Sequence, residues 1–295
     1  MNAAALSSPP RAPALVWDFS DRTQLVFSGL DRLRYLNGQL TQDLKKLTPI
    51  RALPACVTTA KGRLQADVWV SLGEEILTVD AAPDLHEALA ARLERYIVAD
   101  EVTLEDRTGG EGLLHCFGLN PTEHPVLREF PATLAARLGE DGWDVRVPLE
   151  RLAAVRTALG IQLGSVAAWE RLRLEHGIPQ WGNELSEDTL PPEAGLERTH
   201  IDYHKGCYIG QEVISRLKSV GHVNRSLCRF RGDGGVLPEK GAPLCALGGD
   251  GSAQGTLTSV VAVEGGFLAL GYVKRGHADS SFSTVSGILL QRLPE

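Results

Sequence analysis

The segment His204-Lys-Gly-Cys-Tyr-Ile-Gly-Gln-Glu212 holds the densest group of chemically active residues in the chain. Its two glycines, Gly206 and Gly210, allow a tight backbone turn, and the residues that follow favour a helix. Cys207 is therefore expected just before a helix N-terminus, two residues from Lys205. Positive charge and exposed backbone N–H groups both favour a thiolate over a thiol. The segment indicates a nucleophilic Cys207, and the alternative is a small residue that fills a turn.

The length and composition predict a folded protein of two or three domains. The chain has 295 residues, of which 43% are hydrophobic and 23% charged, as in globular proteins. Its formal net charge of −7 makes nucleic acid and anionic membranes poor partners, while leaving room for a local basic pocket. No stretch approaches the roughly 20 apolar residues that a membrane span requires. Residues Met1 to Pro13 are rich in Ala, Ser and Pro and are expected to form a frayed tail instead of a signal peptide.

The five cysteines indicate reduced thiols in the cytoplasm. They are odd in number, widely spaced and include no Cys-x-x-Cys pair, which argues against a disulfide scaffold or a four-cysteine site. On a continuous helix, His200, His204 and Cys207 would align as zinc ligands. Gly206 and the turn beside it argue against such a helix, so no metal site is expected. A labile iron–sulfur cluster bound by Cys207 at a protein contact stays open as an alternative.

The first third of the chain is predicted to combine strands with two helices. Leucines near one face predict a helix over Gly29 to Asn37, which Gly38 would end. Two apolar segments flank Ala60-Lys-Gly-Arg63 and predict a hairpin. Asp84 is expected to cap a second helix, whose leucines form a buried stripe.

The rest of the chain predicts a second mixed block and then an all-β module. Pro131 to Leu138 is expected to form a short helix, and Ser165 to cap a helix that ends at Gly177. From His222 onward helical periodicity is lost and strands predominate. The predicted fold class is α+β, with two mixed α/β domains (1–110 and 111–221) and a small C-terminal β-barrel (222–295).

Residues 205–212 match the K-G-C-Y-x-G-Q-E motif of the YgfZ-type folate-binding proteins, which this chain resembles. That family is related to the T-protein, the aminomethyltransferase of the glycine cleavage system. Its other motifs follow in the right order over most of the chain. The matching stretches are Tyr35-Leu-Asn-Gly-Gln-Leu-Thr-Gln-Asp43, Lys61-Gly-Arg63 with Asp67, Leu172-Arg-Leu-Glu-His-Gly-Ile-Pro179 with Leu190-Pro-Pro-Glu193, Gly255-Thr-Leu-Thr-Ser259, and Ala269-Leu-Gly-Tyr-Val273.

The resemblance implies the three-domain T-protein architecture, with tetrahydrofolate or a derivative held in a central channel. Glu175 occupies the position of a T-protein glutamate thought to hold the pterin. The pterin has two adjacent N–H groups, and both can donate hydrogen bonds to one carboxylate. The alternative for Glu175 is an ordinary surface position on a helix. Within the matched motifs, further cofactor contacts are expected from Lys205, Tyr208, Gln211 and Asn37.

Asp67 is the second residue to which the resemblance assigns chemistry. It lies in a predicted strand, where aspartate is unfavourable, so it is either an inward functional carboxylate or a solvent-facing residue. The T-protein hairpin carries two successive aspartates, one of which acts in aminomethyl transfer. This chain has Ala66 followed by Asp67, and the missing carboxylate puts aminomethyl transfer in doubt.

The combined prediction is a tetrahydrofolate-binding accessory protein for assembly or repair of iron–sulfur clusters in client enzymes, with Cys207 at the working site. Its expected partners are folate and iron–sulfur client or assembly proteins. Arg216, Lys218 and Arg225 either face the anionic glutamate tail of folate or form a solvated surface. One alternative is a tetrahydrofolate-dependent aminomethyltransferase of the glycine cleavage type. Another is a folate-binding scaffold in which Cys207 only packs.

Overall fold

The computed structural model describes residues 14–139, 142–277 and 281–294, so the tail expected over Met1 to Pro13 lies outside the described residues. The described chain forms a five-stranded sheet, a four-stranded sheet and a closed barrel. The predicted α+β class, with two mixed domains and a C-terminal barrel, is confirmed.

In chain order the elements are β1 (Leu15–Asp18), β2 (Thr23–Ser28), α1 (Arg32–Gln39), β3 (Leu53–Thr58), β4 (Leu64–Leu72), β5 (Leu77–Ala81), α2 (His86–Glu94), β6 (Thr103–Asp106), β7 (Glu111–Phe117), β8 (Ala132–Leu134), β9 (Gly142–Pro148), α3 (Leu149–Ala158), α4 (Val166–His176), α5 (Gln211–Ser219), β10 (Arg225–Asp233), β11 (Pro243–Ala246), β12 (Ala253–Val263), β13 (Gly266–Lys274), β14 (Phe282–Thr284) and β15 (Leu289–Arg292).

The first sheet has the strand order β3-β4-β5-β2-β6, and each neighbouring pair is antiparallel. Leu36 of α1 and Leu89 and Leu93 of α2 pack with the strand residues Phe27 and Val68 in one buried core. Each fully buried leucine or phenylalanine contributes about 1.5–3 kcal/mol. This core therefore holds both helices on the sheet, as the leucine pattern of α2 predicts.

The second sheet has the order β1-β7-β9-β8 and is covered by α3. Its core includes Val16, Leu114, Val145 and Val155. Strand β1 precedes the first sheet in the chain but pairs with β7 in the second. Strand β1 therefore belongs to the second sheet, whereas β2 to β6 of the first sheet all lie before residue 111.

The barrel closes in the order β10-β13-β12-β11-β14-β15 around Phe230, Leu257, Phe267 and Phe282. Helix α4 packs against β12 and β13. The side chain of Arg173 on α4 is fully buried and donates to Ser259 of β12 at 2.6 Å and to Glu184 at 3.0 Å. Burying an unpaired guanidinium is costly, so Glu184 keeps Arg173 buried by pairing with it. The hydrogen bond to Ser259 then helps fix α4 on the barrel.

The helix predicted over Pro131 to Leu138 is wrong. This segment forms β8, which pairs with β9, and then turns so that the side chain of Arg137 reaches Asp144. An isolated helix of eight residues is unstable in water. Strand pairing and a buried ion pair therefore determine its conformation.

The predicted helix ends are partly confirmed. Ser165 caps α4 by accepting a hydrogen bond from the Ala168 N–H at 3.1 Å, and Gly177 ends the helix with a φ of 69°. Gly38 does not end α1, which continues to Gln39. Asp84 does not cap α2 with its side chain, because Pro83–Leu85 forms a separate 3₁₀ turn and α2 begins at His86. Proline favours such a turn because its φ is already fixed.

Candidate functional site

Two adjoining cavities lie where the two sheets and the barrel meet. The first, the arginine cavity, has a volume of about 550 Å³, and the second, the aromatic cavity, about 510 Å³. Both lie in the range of about 300–1,000 Å³ typical of small-molecule sites. The arginine cavity is named for Arg51, Arg137, Arg198, Arg229 and Arg292, and the aromatic cavity for Trp17, Phe19, Trp69, Trp169 and Trp181. Their common wall consists of Asp67, Trp69, Arg137, Ile178 and Pro179.

Asp67 faces both cavities because side chains alternate along β4. Ala66 and Val68 enter the core of the first sheet, and Asp67 and Trp69 lie on the opposite face. Asp67 Oδ1 is buried and has no hydrogen-bond partner among the described residues. Burial raises the pKa of Asp67, although Arg22 and Arg137 oppose the rise. The carboxyl group can therefore accept N–H donors from a ligand in either cavity.

Arg137 is held rigidly beside Asp67 by two buried carboxylates. Its Nη2 lies 2.7 Å from Asp80 Oδ1 and 2.7 Å from Asp144 Oδ2, and its guanidinium lies 5.3 Å from the centre of the Trp69 ring. Although burial alone would raise it, Arg137 and His115 hold the pKa of Asp144 well below its ordinary value. Asp144 therefore stays ionised at neutral pH and fixes the position of Arg137.

The aromatic cavity contains four of the five tryptophans of the chain. Trp169 meets Phe19 and Trp17 edge to face, with ring centres 5.0 and 5.3 Å apart. Trp169 Nε1 also donates to Gln180 Oε1 at 3.3 Å, which fixes its ring. Edge-to-face rings of this kind form rigid walls. The cavity can therefore accept a planar ring system that stacks on them.

The predicted cysteine loop lies apart from the two cavities, on the first sheet. The Ile209 N–H donates to the Gly38 carbonyl at 3.3 Å, and Thr58 Oγ1 donates to the Ile209 carbonyl at 2.6 Å. Gly210 has a φ of 89°, and a Cβ there would lie 2.6 Å from Thr58 Oγ1. The thiol of Cys207 is exposed to solvent, four residues before α5 as predicted. The loop therefore presents the thiol outward on a fixed backbone.

Lys205 anchors this loop with its ammonium group. Its Nζ donates to the carbonyl oxygens of Asn37 and Leu40 at 2.6 Å each and of Gln42 at 2.7 Å. All three ammonium donors are thereby used, so Lys205 has none left for a ligand. Burial lowers its pKa to about 8. Asn37 is also engaged locally, because its Oδ1 accepts from the Leu44 N–H at 2.8 Å.

The other predicted cofactor contacts lie in the same loop or on the protein surface. Tyr208 is 7% exposed, and its ring lies 5.3 Å from Lys205 Nζ. The N–H of Gln211 donates to the Tyr208 carbonyl in the first turn of α5. Glu175 pairs with Arg171 at 2.8 Å. Among the described cavity-lining residues, none of these side chains appears, and only Asp67 of the predicted site residues lines the cavities.

The basic residues of the predicted site lie on the solvated side. Arg216 pairs with exposed Glu212 at 2.9 Å, and Arg225 pairs with Glu193 at 3.0 Å. Lys218 lies over the Tyr203 ring. Their separation from the two central cavities favours the solvated-surface interpretation over contact with a folate tail.

Sequence reasoning missed the arginines and most of the aromatic side chains of the cavities. Trp69 carries a usable signal, because it lies two residues from Asp67 and so shares its face of the strand. Arg137 was missed because it lies in the segment Pro131 to Leu138, which was wrongly predicted to be a helix. Arg51, Arg198 and Arg229 come from distant segments, and their convergence depends on the tertiary fold.

The described residues form neither a metal-ligand cluster nor a membrane-spanning helix. No group of three or more His, Cys, Asp or Glu side chains there is arranged to hold a metal ion. Within the same described ranges, no helix is both long and apolar enough to cross a membrane.

The chain is similar to known proteins along most of its length. The tRNA-modifying protein YgfZ of Klebsiella pneumoniae (strain 342) is 26% identical over 283 residues, covering 89% of this chain and 85% of that protein. A putative chloroplastic transferase of Arabidopsis thaliana is 27% identical over 310 residues, covering 93% of this chain and 70% of that protein. No family model matches the chain.

The fold also has a solved counterpart. The glycine cleavage system aminomethyltransferase T of Bartonella henselae superposes with a TM-score of 0.83 at 21% identity, over 97% of this chain and 86% of that one. At this identity the similarity establishes the fold and not the activity. Sequence and structure together confirm that the chain resembles the YgfZ-type proteins and has the T-protein fold.

Proposed function

We propose that this protein binds a tetrahydrofolate in the two joined cavities and acts as an accessory protein in assembly or repair of iron–sulfur clusters, with Cys207 as its working thiol. The folate proposal rests on the buried carboxyl group of Asp67. Its buried Oδ1 lacks a partner among the described residues and lies in the wall common to both cavities. A buried acceptor left unsatisfied costs about 1–3 kcal/mol, which the paired N–H donors of a pterin would recover.

The polarity of the two cavities supports the same ligand. A folate has a planar pterin at one end and an anionic glutamate at the other. Trp17, Trp169 and Trp181 line one cavity and Arg51 and Arg229 the other, with Asp67 between them. Stacking favours the ring at the aromatic end, and charge favours the glutamate at the arginine end.

The role proposed for Cys207 rests on the exposure of its thiol and on the fixed position of its loop. The thiol is exposed, while its loop is fixed to the first sheet through Lys205 and Ile209. A partner protein can therefore reach the sulfur without entering the folate site. The other thiols are also free of disulfides, which fits the reducing cytoplasm proposed for the protein.

The name of the YgfZ relatives associates them with tRNA modification. A net charge of −7 disfavours direct binding of tRNA by this chain. We therefore place any effect on tRNA in a client enzyme that carries an iron–sulfur cluster and not in this protein itself.

Calorimetric titration with tetrahydrofolate under reducing conditions tests the folate proposal. We expect micromolar-range binding that Asp67→Asn weakens at least about tenfold, or ~1.4 kcal/mol. Glu175→Ala, measured in parallel, tests whether the Arg171 pair opens to place Glu175 on the pterin. Unaltered affinity in Asp67→Asn would remove the central argument.

A separate comparison tests the thiol. Cys207→Ser is expected to bind tetrahydrofolate as the parent protein does and to fail in restoring iron–sulfur client activity to cells lacking the protein. Full restoration by Cys207→Ser would assign Cys207 to packing or solvent exposure alone.

Aminomethyl transfer is kept as a second candidate because of where Ala66 lies. Ala66 is fully buried in the core of the first sheet, so an aspartate at that position would point away from the cavities. The missing carboxylate therefore removes nothing from the cavity, where Asp67 is retained. Formation of methylenetetrahydrofolate and ammonia from an aminomethylated lipoyl carrier would establish this activity, and its absence in a protein that binds tetrahydrofolate would exclude it.

A further inference from the structure

A fully buried histidine supports the wall of the aromatic cavity. His115 lies on β7 and is 0% exposed. Its neighbours Leu114 and Cys116 enter the core of the second sheet, so the alternation of the strand points His115 to the opposite face. There its ring stacks on Phe19, with ring centres 5.7 Å apart, and meets Trp169 edge to face at 5.9 Å. Both of these rings line the aromatic cavity. The wall is therefore backed by a polar ring, although an apolar ring would avoid the cost of desolvation.

The imidazole is held by its hydrogen bond to one carboxylate. His115 faces Asp144 across the β7–β9 ladder, and its Nδ1 lies 2.8 Å from Asp144 Oδ1. Because the ionised Asp144 can only accept hydrogen bonds, the proton of the imidazole is on Nδ1. Nε2 is buried and has no partner among the described residues. Burial lowers the pKa of His115, against the effect of Asp144, so the ring is neutral and its tautomer is fixed.

Asp144 in turn fixes the plane of the Arg137 guanidinium. Arg137 Nε lies 3.1 Å from both oxygens of Asp144, and Nη2 lies 2.7 Å from Oδ2. Its Cζ lies 5.3 Å from the centre of the Trp69 ring and 5.8 Å from that of the Phe19 ring. A carboxylate rotates readily about its Cβ–Cγ bond. The hydrogen bond from His115 to Oδ1 restrains this rotation, so that both oxygens keep the orientation that Arg137 requires.

The charges around Arg137 favour a neutral donor at position 115. Arg22 Nε lies 2.8 Å from Asp80 Oδ1, and Arg137 Nη2 lies 2.7 Å from the same oxygen. The two guanidinium groups and the carboxylates of Asp80 and Asp144 balance each other. A lysine at position 115 would add a positive charge to this group, and burying an uncompensated charge is costly. Histidine supplies an N–H donor without adding a charge.

We infer that His115 is a positioning residue for the proposed ligand site. Its Nδ1–H orients Asp144, and Asp144 holds Arg137 in the common wall of the two cavities, beside Asp67. The effect on a ligand rests on the folate function proposed above, whereas the orientation of Arg137 is a property of the protein alone. A wall whose side chains are fixed in advance binds a ligand more tightly, because less freedom is lost on binding.

Three replacements at position 115 separate the N–H donor from the packing of the ring. His115→Asn places an amide nitrogen where Nδ1 lies, His115→Gln places one nearer Nε2, and His115→Phe keeps a ring without a donor. A role in packing alone ranks the phenylalanine variant first and the asparagine variant last, because asparagine leaves the largest void. A role in orienting Asp144 reverses this order.

Calorimetric titration of the full chain with tetrahydrofolate measures the effect on the ligand site. We expect His115→Phe and His115→Gln to bind about tenfold more weakly than the parent, and His115→Asn to stay within about threefold. His222→Phe, at an exposed position outside the described cavity linings, is the control and should bind as the parent does. Urea midpoints of all variants establish that the titrated protein is folded. Parent-like affinity in His115→Phe, or equally weak binding by His115→Asn and His115→Phe, would overturn the inference and leave the folate proposal intact.

NMR of the isotope-labelled protein tests the same contact without a ligand. The Nε–H signal of Arg137, identified by its loss in Arg137→Lys, should exchange slowly with water in the parent and in His115→Asn, and faster in His115→Phe. The ring signals of His115 should report a proton on Nδ1. Equal exchange in all three proteins, or a proton on Nε2, would overturn the inference whether or not folate binds. If the exchange follows the expected order but the parent binds no tetrahydrofolate, the positioning of Arg137 stands and the folate proposal falls.

Discussion

Lys205 Nζ lies 2.6 Å from the carbonyl oxygen of Asn37, and this contact joins the cysteine loop to the C-terminal end of α1. The same ammonium group also donates to Leu40 and Gln42. Replacing Lys205 would remove the donor from three carbonyl oxygens, of which the one on Leu40 is buried and the other two are partly buried. Two motifs that are far apart in sequence therefore depend on one side chain.

Lys205→Met is expected to destabilise the protein by about 1–3 kcal/mol, the cost of leaving the buried Leu40 carbonyl without its donor. Urea denaturation measures this change as a lower midpoint. Lys45→Met, at an exposed position of the segment that follows α1, serves as the matched control and should change stability by less than about 0.5 kcal/mol. Equal stability of the two variants would contradict the anchoring role.

The two glycines of the cysteine loop are expected to respond differently to a methyl group. Gly210→Ala combines a φ of 89° with a Cβ 2.6 Å from the Thr59 carbonyl oxygen, and we expect a loss of about 1–3 kcal/mol. Gly206→Ala is the control, because a Cβ there meets no described atom within 4 Å. Thermal unfolding of both variants measures this difference, and a Gly206→Ala protein as unstable as Gly210→Ala would contradict the specific requirement for glycine at position 210.

The accessibility of the thiols predicts their order of reaction. Cys207 is exposed, Cys245 is partly exposed, and Cys56, Cys116 and Cys228 are buried. An aromatic disulfide reagent should modify one thiol quickly, a second more slowly and three only on unfolding, and Cys207→Ser should remove the fast phase. Burial raises the pKa of Cys56 and Cys116, which further slows these two since the thiolate is the reacting form. A fast phase that survives in Cys207→Ser would mean that another cysteine is the accessible one.

The sequence was sufficient for those parts of the site that depend on local structure. The turn at Gly206 and Gly210, the helix after it and the place of Cys207 shortly before that helix all follow from a few consecutive residues. The resemblance to the T-protein supplied the three-domain fold, because its motifs are spread along the chain. Alternation along β4 is also local, and it places Asp67 and Trp69 on one face.

The cavities could not be predicted in the same way, because their character depends on residues that are distant in sequence. Arg51, Arg137 and Arg229 meet only when both sheets and the barrel are assembled. Lys205 shows the same limit, since its charge suggested an effect on the neighbouring thiol but its position is set by carbonyls of α1 and the residues after it. Contacts of this kind depend on tertiary packing, which propensity and periodicity do not encode.

Asp67→Asn is expected to stabilise the protein at neutral and alkaline pH while impairing ligand binding. Burial raises the pKa of Asp67 in the folded state, whereas an aspartate in an unfolded chain has a pKa of about 3.9. Between these two values the folded state binds more protons than the unfolded state, so stability falls as pH rises through the folded pKa. Asparagine does not ionise, so Asp67→Asn does not lose stability as the pH rises. We expect it to exceed the parent by about 0.5–2 kcal/mol near pH 8.

The pH dependence separates this effect from a general change in packing. Urea denaturation at a series of pH values should show the advantage of Asp67→Asn shrinking as the pH falls, and levelling off only below the unfolded pKa of about 3.9, where the parent carboxyl is protonated in both states. Asp188→Asn, whose side chain is 93% exposed in the parent, should show no such trend. A parent protein as stable as Asp67→Asn at high pH would mean that Asp67 is ionised without cost, and the argument that its carboxyl awaits a ligand would fail.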